Sequence, residues 1–300
     1  MEFKDTNQFR SFMKKEAIRL NISVPNTYNT YFARSLLQRI ALIEMYEQNI
    51  SPIYVKGSFS QFIYLQKLIR PVTDVDLSSK EDIEDSLWPL IKKINATDSP
   101  LTFKLRREPH ITETGMYKIM LEAHLNGINQ PISIDFHEKN KALYEDQLKP
   151  VMPIFKGDKK FYVDTPSFEE HLAEKLCIIC ESNKPDVINT RVKDFYDIYE
   201  MHGNGYDFDK FSYYFARMLN DRGKINPSVA STSHLTPEFV SSHQATWDKM
   251  KIKYEFLFPD ENNIPFKEDV PFSEAVYYSK GVLSEQLQKM KTNSRVLKKS

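Results

Sequence analysis

The tripeptide Asp74-Val75-Asp76 constrains this chain more than any other feature. It lies in residues 73–77, a short run that reads as a β-strand once Pro71 has stopped the helical pattern before it. Side chains alternate along a strand, so Asp74 and Asp76 point to one face, about 7 Å apart at the backbone by the strand rise. Two carboxylates that close repel, and burying them without a counter-charge is costly. A divalent cation removes the repulsion, and Mg²⁺ favours hard oxygen ligands of this kind. A solvent-exposed strand with acidic residues on its wet side fits the same pattern, so the tripeptide alone leaves both readings open. Asp135 extends the constellation. Residues 132–136 alternate, with Ile132, Ile134 and Phe136 on one face and Ser133 and Asp135 on the other. Asp135 is therefore the natural third ligand.

The segment just upstream favours the metal reading. Residues 53–55 form a short apolar strand, Lys56-Gly57-Ser58 reads as a turn, and residues 59–69 read as a helix leading to the Asp74 strand. A small turn after a strand lets backbone N–H groups approach phosphate, and the Ser58 hydroxyl adds a donor. Glycine is scarce, at 8 residues in 300, so one that falls in such a turn is informative.

Further elements follow from periodicity. Helices are expected over residues 5–20, 28–48 and 80–94, and strands over 102–108, 118–125 and 132–136. Asn126-Gly127 marks a hairpin turn between the last two strands. From about residue 166 the pattern is helical, over 166–181, 191–202, 208–220, 236–257 and 272–292, with a polar loop at 182–190. The fold expected is α+β and bilobed. A mixed sheet with helices would occupy residues 1–155 and a helical bundle residues 156–300.

Composition narrows the function. Hydrophobic residues at 41% and charged residues at 27% suit a soluble globular protein. No apolar run approaches a membrane span, and the N-terminus lacks an apolar signal core, so a cytoplasmic location and no membrane partner are expected. The formal net charge is zero, which removes any global basic signal for nucleic acid. The two cysteines, Cys177 and Cys180, are too few for a four-ligand zinc site and read as buried helix residues.

The helical half carries a second charged group. On the wheel of helix 166–181, Phe168, Leu172, Leu176, Ile179 and Cys180 form an apolar arc, with Glu170, Glu174 and Glu181 opposite. Lys175 falls at the edge of that arc, about 20° from Phe168. Its ammonium would meet a carboxylate or a nucleotide phosphate, or escape to water. In the next helix Lys193, Asp194 and Asp197 share a polar arc, and the simplest expectation is an i,i+4 pair of Lys193 with Asp197.

Taken together, these motifs resemble the AbiEii-type nucleotidyltransferase toxins, catalytic partners in type IV toxin–antitoxin and phage-defence pairs, within the polymerase-β-like superfamily. The resemblance runs through YFARSLLQRIALIE into YVKGSF, then RPVTDVDL, ISIDF, FEEHLAEKLCII and TRVKDFYDIYE, in order over about residues 30–200. It implies a polymerase-β-like first lobe, a helical second lobe and an active site in the cleft between them. Asp74, Asp76 and Asp135 would bind Mg²⁺ (or Mn²⁺), with Lys175 and Asp197 also catalytic. Lys56, Gly57, Ser58, Arg70, Arg191, Lys193 and Asp194 would hold the NTP. The resemblance further implies NMP transfer to RNA, most simply the tRNA 3′ end, and a cognate antitoxin encoded nearby. Two departures stand out. Ser58 replaces a glycine common in the family, and Val72 occupies a position usually Ser or Thr, unless Thr73 takes that role. A transferase acting on a small molecule such as an antibiotic, and a catalytically inactive nucleotide-binding relative, are the competing readings.

Overall fold

A computed structural model describes residues 3–46, 53–79, 89–95, 99–113, 115–137, 146–181, 191–222, 231–254 and 270–297. Residue contacts divide the chain into two compact units. One is built within Met1–Pro166, the other from Ser167–Lys253 and the C-terminal helix.

The first unit opens with two helices, α1 (Thr6–Leu20) and α2 (Val24–Tyr46). Asp5 caps α1, its carboxylate accepting from the Gln8 N–H at 2.8 Å. Helix α2 starts four residues before the expected 28, because Pro25 sits in its first turn, where a missing N–H costs nothing. Strand β1 (Ile53–Val55) leads into α3 (Gly57–Leu65), and β2 (Asp74–Ser79) follows. Of the helix expected over 80–94, residues 80–88 lie outside the described residues, and α4 is described over residues 89–93. Then come β3 (Thr102–Leu105), β4 (His110–Ile111), β5 (Met116–Leu125), β6 (Ile128–His137), β7 (Asp146–Val151) and β8 (Phe161–Pro166).

These strands form one mixed sheet in the order β3-β5-β6-β2-β1-β8-β7, with β4 on β5. β6 and β2 run parallel, as do β1 and β8, and the other pairs are antiparallel. Asn126 (φ 48°) and Gly127 (φ 74°) join β5 to β6 in a two-residue turn, the conformation the Asn-Gly pair favours. Alternation then sorts the residues by face. Val75, Leu77, Ile119, Leu121, Ile134 and Phe136 are buried in the core that also holds Phe9, Phe32, Leu36 and Leu37 of the first two helices. Asp74, Asp76 and Asp135 are left on the opposite face.

Strands β7 and β8 are not foreshadowed by the pattern, which shows no strand between residue 136 and the helical run from about 166. β8 joins the sheet through a parallel partner far upstream, Tyr54 facing Asp164. A buried ion pair also ties this region to α2. Arg34 Nε lies 2.9 Å from Asp158 Oδ2, and its guanidinium donates to the Lys159 carbonyl at 2.7 Å. Burial pushes the Asp158 carboxyl above its usual range, with the Arg34 charge and backbone N–H groups pulling it back.

Every element described in the second unit is a helix: α5 (Phe168–Glu181), α6 (Val192–His202), α7 (Phe208–Arg222), α8 (Pro237–Tyr254) and α9 (Phe272–Leu297). The polar loop expected at 182–190 lies outside the described residues. Helix α5 is the central one. Its apolar arc is buried as expected, and so is Glu170, 1% exposed, which the wheel had set on the outer side. The correction has a plain cause: α6 and α7 both pack on α5, and between Phe168 and Cys180 they leave only Glu169, Glu174 and Ile178 half-buried and no residue exposed. Cys177 and Cys180 are buried in this packing and are not joined in a disulfide.

Candidate active site

The register of two strands, β2 and β6, builds the carboxylate cluster. Parallel pairing of β2 with β6 sets Asp76 opposite Asp135 and Asp74 opposite Ser133. Residues paired across a sheet share a face. Asp74, Asp76 and Asp135 each offer a carboxylate oxygen, and the three atoms lie within 4.8 Å of one another. All three residues are half-buried, so the cluster is open to an ion and partly shielded from bulk water. Thr73 supports it from the side, its hydroxyl donating to Asp74 Oδ1 at 3.5 Å. Val72 is in the core instead, its N–H donating to Thr30 Oγ1 at 3.2 Å, so of the two neighbours it is Thr73 that brings a hydroxyl to the cluster.

Gly57 and Ser58 stand against the same cluster. They form the first turn of α3 rather than a turn ahead of it, with Lys56 as the N-cap residue and no side-chain cap. Early N–H groups of a helix have no partner within it, so this end of α3 offers donors and the positive end of the helix dipole. Gly57 has a φ of +61°, and a Cβ built on it would lie 1.7 Å from Asp76 Oδ2. Only glycine fits, for backbone conformation and for space. The Ser58 hydroxyl is buried and finds no hydrogen-bond partner among the described residues. A buried hydroxyl in that state keeps a donor that an incoming acceptor could use.

These features together fit a divalent ion with a nucleotide phosphate. The donor set is all oxygen, the carboxylates converge, and the glycine leaves the carboxylate approachable. Lys56 and Arg70 are buried close by in sequence, 7% and 5% exposed, one immediately before α3 and the other just ahead of Pro71.

Lys118 was missed at the level of sequence. It faces Asp135 across β5 and β6, and its Nζ lies 3.1 Å from Asp135 Oδ1. The signal was present in the alternation of Ile119, Leu121, Ala123 and Leu125, which turns Lys118 to the opposite face.

The second unit holds the remaining candidates around α5 and α6. Lys175 Nζ donates to Asp194 Oδ1 at 2.6 Å and to Asp197 Oδ2 at 2.8 Å. Both carboxylates are fully buried. The expected pairing of Asp197 with Lys193 is thus replaced by a buried pairing with Lys175. A fully buried carboxylate needs a charge that comes inside with it, and a lysine at the edge of an apolar arc supplies that better than one on an outer face. Asp194 sits in the first turn of α6, where a negative charge also meets the helix dipole. Arg191, the N-cap residue, keeps its side chain 44% exposed, with Nη1 3.9 Å from Asp194 Oδ2. Lys193 is half-buried.

No described helix is long and apolar enough to cross a membrane. Among solved structures, the crystal structure of JHP933 from Helicobacter pylori is similar over 92% of this chain and 98% of that one, at 14% identity and a TM-score of 0.50. A likeness at that identity shows the fold alone. An antigenic nucleotidyltransferase-like protein from Paracoccidioides brasiliensis matches over 66% of this chain and 88% of its own, at 14% identity and a TM-score of 0.37. No curated protein matches. A family model covers residues 50–275, well over half of the chain and including every candidate residue above. The chain belongs to the family described as nucleotidyl transferase AbiEii toxin, type IV TA system.

Proposed function

We propose that this nucleotidyltransferase transfers NMP from an NTP to the terminal hydroxyl of an RNA, most simply a tRNA 3′ end, with Asp74, Asp76 and Asp135 holding Mg²⁺ or Mn²⁺. The observation that carries the reading is the convergence of the three carboxylates within 4.8 Å, beside a helix start that only glycine can occupy. A divalent ion bound there supplies positive charge to the phosphate oxygens as the reaction proceeds.

The chain's own residues do the rest. The first N–H groups of α3 and the Ser58 hydroxyl donate to the triphosphate, and Lys56 and Arg70 add positive charge near it. Asp135 accepts the proton of the attacking hydroxyl. The hydroxyl oxygen bonds to the α-phosphorus, the bond from that phosphorus to the bridging oxygen of the β-phosphate breaks, and pyrophosphate leaves with the electron pair. In the second unit, Lys175 fixes Asp194 and Asp197 and so sets the geometry of the α6 start. Exposed Arg191 and half-buried Lys193 are its cations for nucleotide phosphate. Family membership also supports a toxin role and a cognate antitoxin, and the substrates NTP and tRNA put the reaction in the cytoplasm.

Incubation with each α-labelled NTP, Mg²⁺ and total RNA, followed by a denaturing gel, tests this. Label in a tRNA-sized band, lost with chelator, is expected. Label passing instead to an aminoglycoside or another small acceptor would replace the RNA reading with a small-molecule one.

A further inference from the structure

The open face of the sheet does not end at the carboxylates. Pairing carries it outward from β6 onto β5, where Met120 faces Ser133, Lys118 faces Asp135 and Met116 faces His137. Residues paired across a sheet share a face, so Met116, Lys118 and Met120 stand on the side that holds Asp74, Asp76 and Asp135. All three are half-buried, while Ile119 and Leu121 of the same strand are in the core. Arg106 directly follows β3, its N–H donating to the Met120 carbonyl at 2.8 Å. Its guanidinium is on this face too, with Nε 4.0 Å from Oε1 of Glu122, which itself faces Lys104. The Arg106 and Glu122 side chains are 48% and 32% exposed, and an ion pair that open to water is weak. It leaves the guanidinium able to bind a stronger anion.

The two flanks of the site therefore differ. On the β1 flank, α3 begins against Asp76: the Lys56 N–H donates to the Asp76 carbonyl at 2.9 Å, and Gly57 lies against the Asp76 carboxylate. On the β5 flank, Lys118 Nζ is 3.1 Å from Asp135 Oδ1, and its side chain is 33% exposed. An ammonium has three N–H donors, so one bonded to Asp135 keeps donors for a further oxygen. In-line displacement puts the attacking hydroxyl opposite the leaving pyrophosphate. With the triphosphate at α3, the acceptor enters from the β5 flank. In a nucleic acid the phosphate nearest a terminal 3′ hydroxyl is one ribose away from it. Neighbouring strands are about 4.8 Å apart. Lys118 and then Arg106, one and two strands beyond Asp135, thus step outward along a chain whose hydroxyl is at Asp135. Met116 and Met120 flank Lys118 with apolar, adaptable surface for a ribose or base.

We propose that Lys118 and Arg106, with Met116 and Met120 beside them, form the seat for the last nucleotides of the acceptor RNA. Lys118 takes the phosphate nearest the reacting hydroxyl and Arg106 the next one inward. This rests on the reading of the acceptor as RNA and deepens it. Glu122 opposes the seat, because its carboxylate stands beside Arg106 and repels the same phosphate. A small acceptor held at Asp135 does not extend to Arg106, two strands away.

Transfer from an α-labelled NTP to in vitro-transcribed tRNA by the full-length protein, with KM for each substrate measured over a range of KCl, tests this. Arg106→Gln should raise KM for tRNA roughly 10-fold, the order of one charge-assisted contact, and leave KM for the NTP unchanged. Lys118→Gln should raise KM for tRNA likewise. Each lost phosphate contact should flatten the slope of log KM for tRNA against log[KCl] by about 0.7. Arg106→Lys should keep most of the affinity, and Glu122→Gln should lower KM for tRNA. Lys14→Gln, at an exposed lysine of α1, which packs on the other face of the sheet, should change neither constant. Circular dichroism checks the fold of each variant. Unchanged tRNA KM and salt slope in both Arg106→Gln and Lys118→Gln, or equal rises for tRNA and NTP, overturn the seat and leave the RNA reading standing. A wild type that puts no label on tRNA overturns the RNA reading and the seat with it.

Discussion

Gly57 lies against the carboxylate of Asp76 so closely that a Cβ on it would fall 1.7 Å from Oδ2. The first turn of α3 and the Asp76 carboxylate are thus fitted to each other, backbone to side chain. Gly57→Ala must move one of them and must also hold an alanine at a φ of +61°. Positive φ alone costs an alanine about 1 kcal/mol or more. The variant should fold with a Tm several degrees lower and lose Mn²⁺ binding and transfer activity together. Calorimetric melting with an NTP-transfer assay checks this, and wild-type activity in Gly57→Ala would show that the contact has no bearing on the site.

Ser58 separates function from stability. Its buried hydroxyl has no partner among the described residues, so removing it relieves an unsatisfied group. Ser58→Ala should melt at or above the wild-type temperature. A hydrogen bond to a charged group is worth about 1.5–3 kcal/mol, so KM for the NTP should rise roughly 10- to 100-fold. A fall in Tm with unchanged KM would make the hydroxyl structural.

Lys175 binds two fully buried carboxylates at 2.6 and 2.8 Å. Lys175→Met removes the ammonium that both carboxylates share, a loss of about 3–5 kcal/mol for a broken buried pair. Replacing the acids as well, in Lys175→Met with Asp194→Asn and Asp197→Asn, should recover much of it. Denaturant unfolding of the single and triple variants measures both steps. Near-wild-type stability of Lys175→Met would mean that the ammonium does not hold α5 to α6.

Two histidines of the helical unit make it sensitive to acid. His202 accepts or donates through both ring nitrogens, to Tyr278 at 2.6 Å and Tyr206 at 2.5 Å, and burial holds its pKa below the ordinary 6.5. Burial lowers His234 likewise, against the pull of the Ile179 carbonyl. The unfolded chain therefore takes up protons near pH 6.5 while the folded chain does not. Stability is full above that pH and is lost as pH falls toward the lowered folded values. The Tm should drop between about pH 7.5 and pH 5.5, and His202→Gln should flatten the drop. A Tm that is level or rises on acidification would contradict the assignment.

The parts of this protein that were legible in its sequence are those governed by local periodicity. Alternation around Asp74, Asp76 and Asp135 identified the face they share, and Asn126-Gly127 fixed the β5–β6 hairpin and with it the position of the third carboxylate. What stayed hidden depends on partners distant in the chain. β8 finds its place beside β1, more than a hundred residues upstream, and no local pattern in β7, with Lys149 and Pro150, announces an edge strand. A helical wheel gave the direction of Lys175 but not its partners. A four-residue spacing on α6 favoured Lys193 for Asp197, and burial decided otherwise. Lys118 required the register of a hairpin, which the turn fixes but which has to be counted out residue by residue.

Asp76 stands at the meeting point of the carboxylate row, the α3 start and the parallel β2–β6 pairing. Asp76→Asn keeps its size and removes its charge. The most direct measurement is the rate at which wild-type and Asp76→Asn protein incorporate label from an α-labelled NTP into tRNA at saturating Mg²⁺. The account predicts loss of at least about 1000-fold in the variant, on the scale of several kcal/mol of transition-state stabilisation, with an unchanged circular dichroism spectrum. Equal rates in the two proteins would contradict it.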